Sequence, residues 1–315
     1  VTRSNRNRRS AFAGIAFAIV ALMSLGGAAG GAAAATTGGA FTPGATPTKK
    51  GSPTGTPSTA PVSGNVTIAA ATTTPRKSFY FGFRYPRLSF TIASDQPQND
   101  LQIDVVNEAG EVLRSFYRND VAPAVPTAVR WDGTAAEGKP ARNGHYSFRV
   151  EVQGTAVAAR PATASTAATF AFDFYGFAFP ILGPHEFGMS AGRFGAGRSG
   201  HTHQGQDVMA DCGTPLVAAR GGLVQYSGYQ GAAGNYIVID GKGSSYDFMY
   251  AHLAEPSPLL TGETVRTGQP IGIVGDTGDA TACHLHFEMW AAPGWYEGGS
   301  PFDPLPYLQK WDAYS

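Results

Sequence analysis

The chain has 315 residues, 43% of them hydrophobic, and its 23 basic and 23 acidic side chains cancel. That length accommodates two ordinary domains plus linkers, at about 100–200 residues per domain. Zero formal charge leaves no basic stripe to displace counterions, which excludes nucleic acid as the expected partner.

Residues 1–35 read as an export signal, with Arg3, Arg6, Arg8 and Arg9 at the start, an apolar run over 11–25 and small residues suited to cleavage. The apolar run falls short of the ~20 residues a helix needs to span the hydrocarbon core. Cleavage, leaving a mature protein with no membrane span, is therefore expected over an uncleaved membrane anchor. The expected location is secreted or cell-wall associated, where a disulfide can persist. Residues 36–76 are dominated by Thr, Pro, Gly, Ser and Ala and are expected to form a flexible linker.

Over 77–153 short runs alternate with period two between turn residues such as Glu108-Ala109-Gly110 and Asn143-Gly144, the pattern of an antiparallel β-sandwich. Residues 154–178 read as an Ala/Thr-rich and aromatic joint. From 179 to 308 the chain is Gly-punctuated with short β runs and no helical periodicity, which predicts a second, larger all-β domain. Residues 309–315 are left as a C-terminal tail.

Six of the seven histidines fall between His185 and His286. In "HTHQGQD" His203 stands four residues before Asp207, with Gly205 between them to let the backbone fold tightly. In "CHLHFEMW" His284 and His286 occupy alternate strand positions and look into the same space. A His and an Asp on one loop, with two His from a distant strand, can supply the three N/O ligands of an open zinc site. Two ligand histidines leave a surplus imidazole for a general base, and "YAHL" adds His252. By strand parity Glu288 shares the face of His284 and His286, within reach of an imidazole N–H. "GMSAG" around Ser190 matches the serine-hydrolase pattern but lacks the helix its elbow requires.

Two resemblances follow from these motifs. The run from "LQIDVVNEAGEVLRSF" through "WDG" to "NGHYSFRVEV" resembles the FlgD-like Ig-like module. Asp132 and His145 within it read as a turn cap and a strand-edge residue. The order "HQGQD … GTPLVAA … GNYIVIDG … YAHL … TGETVRTGQPIGIVGDTG … HLHFE" resembles the lysostaphin/LytM-type zinc metallopeptidases. That resemblance implies one Zn2+ per chain held by His203, Asp207 and His286. It further implies His284 as the catalytic base acting on the zinc-bound water, and His252 as the partner that orients this water or stabilises the oxyanion. His201 competes with His203 for the metal, and spacing to Asp207 favours His203. The family's upstream Tyr is missing, which leaves the oxyanion to His252 and Arg198.

The implied activity is endopeptidase cleavage of peptidoglycan stems or cross-bridges, so the expected partners are peptidoglycan peptides. A non-catalytic peptidoglycan-binding or hydrolase-activating protein, or an exported protease of other proteins, is the alternative. If zinc gathers the segments of Asp207 and His284, it also brings together the two cysteines, Cys212 and Cys283, which are then expected to form a disulfide rather than remain unpaired thiols. The Ig-like module, which holds no candidate ligand, is expected to be dispensable for the chemistry.

Overall fold

A computed structural model describes residues 66–153 and 168–314 of the chain. The export signal expected at 1–35 and most of the expected linker lie outside the described residues. The first layer pair is a β-sandwich. It comprises β1 (Thr67–Thr74), β2 (Lys77–Phe79), β3 (Arg87–Ala93), β4 (Asn99–Asn107), β5 (Val112–Val121), β6 (Thr127–Arg130), β7 (Gly144–Val152) and β8 (Ala168–Tyr175). One sheet runs β1-β3-β6 and the other β2-β8-β7-β4-β5, antiparallel except for the parallel β2–β8 pair.

Two of the expected boundaries shift. β1 lies inside the segment read as linker to residue 76, and pairs with β3 along Thr67–Thr74. Its Thr and Ala side chains carry little apolar signal, yet Thr suits a pleated surface and cross-strand pairing holds the strand. β8 lies inside the segment read as a joint, and alternation in "ATFAFDFY" places Phe172 and Phe174 in the core. Buried Trp131 packs on Phe174 at 4.7 Å and on Tyr146 at 5.3 Å between ring centroids. As expected, Asp132 caps the Trp131-Asp132-Gly133 turn by accepting from Thr134 N–H at 3.0 Å. His145 is exposed against Asp173, but on β7, an interior strand and not the expected edge, because β8 pairs along its other side.

The second part contains β9 (His185–Phe187), β10 (Gln206–Ala210), β11 (Pro215–Val217), β12 (Gly222–Gln230), β13 (Gly234–Gly241), β14 (Tyr246–Leu253), β15 (Thr264–Val265), β16 (Pro270–Ile273), β17 (His284–Ala291) and β18 (Pro301–Phe302). They form an antiparallel sheet in the order β15-β12-β13-β14-β17-β10-β9, with β18 beside β17 and a separate β11–β16 ribbon. One face of the sheet packs Val208, Ile237, Ile239, Phe248, Tyr250, Leu285, Phe287 and Met289 into a common core. The opposite face is the floor of a groove.

The expected tail is instead the end of a short helix, α1 (Leu305–Asp312), which closes that core. Trp311, 3% exposed, stacks on Phe177 at 4.9 Å. Two turns beginning at prolines are too short for periodicity to register, and burial of Leu308 and Trp311 stabilises what propensity alone would not. No helix among the described residues is long and apolar enough to cross a membrane.

The sandwich and the larger sheet meet through the segment between β2 and β3. Arg220, 1% exposed, lies between the rings of Tyr80 at 4.1 Å and Phe177 at 4.7 Å. It donates to the carbonyls of Gly176 and Lys242. Thr267 adds an Oγ1–H bond to Tyr80 O at 2.6 Å and an N–H bond to Phe81 O at 3.2 Å.

Candidate metal centre

β10 and β17 are paired so that Asp207 lies opposite His286. Alternation on β17 sends Leu285, Phe287 and Met289 into the core and His284, His286 and Glu288 into the groove. His203 arrives on the loop before β10, where its backbone bonds to Ala196 and Gly195 fix the approach. Gly205 serves a close approach: a Cβ there would lie 2.5 Å from the Phe287 carbonyl oxygen and 2.8 Å from the His286 ring. A side chain at 205 would therefore force the loop away from β17 and its imidazole.

His203 Nε2, Asp207 Oδ1 and His286 Nδ1 form a triangle with sides of 2.9, 3.0 and 3.1 Å. Ligands on a tetrahedral zinc at 2.0–2.1 Å lie roughly 3.3 Å apart, so a small contraction separates this triangle from a zinc face. The three residues form a group that could hold a metal ion.

The outer nitrogens set each ring's tautomer. His203 Nδ1–H donates to Arg193 O at 2.9 Å, and His286 Nε2–H donates to Glu288 Oε1 at 2.9 Å. A carbonyl or carboxylate can only accept, so the neutral form of each ring puts a lone pair inward, where a metal can take it; without a metal, an inward N–H donates to Asp207 Oδ1 instead. Strand parity leaves Glu288 as either an imidazole partner or an ordinary strand carboxylate, and it is the former. It also accepts from Trp290 Nε1–H at 2.6 Å.

Charge in the cluster asks for a cation. Burial works against a charged Asp207, but hydrogen bonds from His203 and His286 outweigh it and hold the carboxyl well below the usual range. Burial likewise opposes charge on His286, and the hydrogen bonds and negative charges of Asp207 and Glu288 overcome it, raising its pKa to about 9. Without a metal, a proton on His286 would supply the positive charge that a bound cation would otherwise provide.

The remaining imidazoles flank the triangle. His284 Nδ1–H donates to Ala282 O at 2.8 Å, leaving Nε2 free 3.6 Å from Asp207 Oδ1. His252 lies with its ring centroid 4.7 Å from that of His284, and its Nδ1–H donates to Thr277 O at 2.7 Å. Its position rests on a β-bulge. Asn235 pairs with Leu253 and Ile237 with Tyr250, so Ala251 and His252 together face Tyr236. His252 adopts φ +61, and this re-aims it into the groove that simple alternation gives to Ala251 alone. Burial lowers its pKa to about 4, only partly countered by the bond to Thr277, so the ring is neutral.

Around the triangle, Arg198 donates to Ala191 O at 2.6 Å and lies 3.8 Å from Asp207 Oδ2. His201 is exposed, bonded to Ser199 O, and stands outside the triangle. Ser190 lies in a 3-10 turn with no strand-to-helix elbow. The expected disulfide is present: Cys212 and Cys283 are bonded with Cα atoms 5.2 Å apart, just beyond the paired ends of β10 and β17. The cleft that holds these groups has a volume of about 770 Å³.

Residues 201–304 match the model of Peptidase family M23, and residues 85–156 match that of the FlgD Ig-like domain. Over 87 residues the chain is 43% identical to the peptidoglycan DD-endopeptidase ShyC of Vibrio cholerae, covering 28% of this chain and 20% of that protein. Over 130 residues it is 30% identical to lysostaphin of Staphylococcus simulans, covering 41% and 26% respectively. These matches therefore span only about a fifth to a quarter of the relatives' own length. Among solved structures, the catalytic domain of Staphylococcus simulans lysostaphin aligns with 40% of this chain and 92% of its own, at 30% identity and a TM-score of 0.35.

Proposed function

Because the chain carries a lysostaphin/LytM-like domain of peptidase family M23 behind an FlgD Ig-like domain, we propose that it is a zinc-dependent endopeptidase. Its substrate is the peptide part of peptidoglycan, and it works outside the cytoplasm, in keeping with the disulfide. The observation that carries this reading is the triangle of His203 Nε2, Asp207 Oδ1 and His286 Nδ1, with both imidazoles held by an outer acceptor.

A zinc ion held there supplies a Lewis acid that lowers the pKa of water and polarises a carbonyl oxygen. The chain's own groups do the rest. His284 presents a bare Nε2 beside the triangle and takes the proton of the attacking water. His252 is neutral, with Nδ1–H committed to Thr277 O, so its Nε2 also accepts. Of the two roles the resemblance implies for His252, this tautomer supports orienting the water and disfavours donating to an oxyanion. Arg198 neutralises the outer oxygen of Asp207.

The test is incubation of the mature protein with purified peptidoglycan, with and without a chelator, followed by mass spectrometry of newly exposed termini. New termini that vanish with chelator and return with zinc are expected. Zinc-loaded, folded protein that opens no peptide bond would end the proposal.

A further inference from the structure

The groove floor runs from Asp207 on β10 across His286 and Glu288 on β17, Met249 on β14 and Val238 on β13. It ends at an aromatic wall. Tyr226 and Tyr236 stack at 4.8 Å, and the loop after β17 folds back over them, placing Trp295 6.0 Å from Tyr226 and 5.9 Å from Tyr236. Tyr296 follows, 72% exposed. Tyr236, Trp295 and Tyr296 line the same cleft as the four histidines.

We propose that this wall is a subsite for a pyranose ring of the glycan strand, seated beside the peptide that the metal centre cuts. The assignment rests on the endopeptidase reading. A large exposed aromatic side chain is usually mobile, but Tyr296 is held at 5.2 Å from Trp290 and edge-on at 4.8 Å from Trp295. Its ring is therefore ordered before any ligand arrives, which lowers the entropic cost of binding. Its backbone adopts φ +50, an outlier for a bulky residue and of the kind that clusters at ligand clamps.

The chemistry of the wall selects the occupant. Peptidoglycan peptides carry mostly small side chains, whereas each amino-sugar ring offers a flat face of C–H groups that packs on a neutral aromatic ring. Hydroxyl and acetamido groups at the ring's edge need polar partners, and the cleft has them in Gln230 and Asp279. Gln230 Oε1 accepts from the N–H groups of Ala232 and Ala233, which fixes the amide and leaves its NH2 to donate. The rival occupant, an ammonium-bearing side chain, would also be drawn by the ring faces and by Asp279, so the test sets a sugar-free lysine peptide against the disaccharide.

Tryptophan fluorescence tests the proposal without turnover, since Trp131, Trp290 and Trp311 are buried and Trp295 is the tryptophan that a ligand in the cleft can reach. The probe is the peptide-free disaccharide of N-acetylglucosamine and N-acetylmuramic acid. A saturable emission change is expected, both in the native protein and in metal-free His286→Ala. Calorimetry should show binding weakened about tenfold in Tyr296→Ala and restored in Tyr296→Phe, because the ring face and not the hydroxyl makes the contact. Absence of saturable binding, or a response to a sugar-free lysine peptide and none to the disaccharide, overturns the proposal. Disaccharide binding by a protein that leaves peptidoglycan uncut would support the subsite while removing the endopeptidase reading.

Discussion

Replacing Glu288 by Gln isolates the support of the metal centre from its ligands. Glu288 is 5% exposed, and its two oxygens serve two donors: Oε1 receives His286 Nε2–H and Oε2 receives Trp290 Nε1–H. A glutamine offers one oxygen and one NH2 in the same space, so whichever way the amide turns, one buried N–H meets another donor. If Trp290 keeps its acceptor, His286 loses the partner that fixes its tautomer and raises its basicity. Such outer partners are worth about ten- to a hundredfold in metal affinity, or about 1.4–2.7 kcal/mol. If His286 keeps the oxygen instead, Trp290 is orphaned, at a cost of about 1–3 kcal/mol in stability. Competitive zinc titration reads the first cost, and urea unfolding in chelator reads the second. At least one must move. A Glu288→Gln protein with native zinc affinity and native metal-free stability would refute the reasoning.

The ligand and base roles separate by metal content: His284→Ala should retain about one zinc and lose most turnover, whereas His286→Ala or Asp207→Ala should lose the metal by elemental analysis. An empty site in His284→Ala with a full one in His286→Ala would reverse that assignment. Arg220→Ala should lose about 3 kcal/mol in urea unfolding, because it orphans buried carbonyls and removes a cation lodged between Tyr80 and Phe177, less the desolvation cost the guanidinium itself carries. By the same contacts, a chain starting at Phe170 should be less stable than the full chain, while the expectation that the Ig-like module is dispensable for the chemistry is checked by its rate on soluble stem peptides. Equal unfolding midpoints for the two would refute the stabilising role of those contacts. Reducing the Cys212–Cys283 bond, which spans 71 residues, should cost roughly 4 kcal/mol in the chain-entropy model. Unreduced protein should run two protons lighter than reduced protein by mass spectrometry.

Local pattern supplied the candidate ligands, and the resemblance to the lysostaphin/LytM-type peptidases singled out His203, Asp207 and His286 among them. The four-residue spacing of His203 and Asp207 and the alternation of His284, His286 and Glu288 are properties of a loop and a strand, and strand parity survives whatever the strand packs against. The disulfide was expected from zinc gathering the same segments, and the structure adds that the pairing of β10 with β17 brings both cysteines together just past the strand ends. What lay beyond parity needed the tertiary structure. His252 reaches the groove only through a bulge, an extra residue opposite Tyr236 that alternation cannot count. Gly205 matters because a distant imidazole lies against it, not because of its own backbone angles. β1, β8 and the second half of α1 fall in segments that read as linker, joint and tail, because segments of Thr and Ala, or of two helical turns, become ordered through the partners that cover them. Nothing in the sequence around Arg220 signals its burial, which depends on Tyr80, 140 positions away in the chain. A sequence expresses the periodicity of its own backbone, whereas a bulge, a close approach and an enclosing ring belong to pairs of segments, and only the folded chain decides which segments meet.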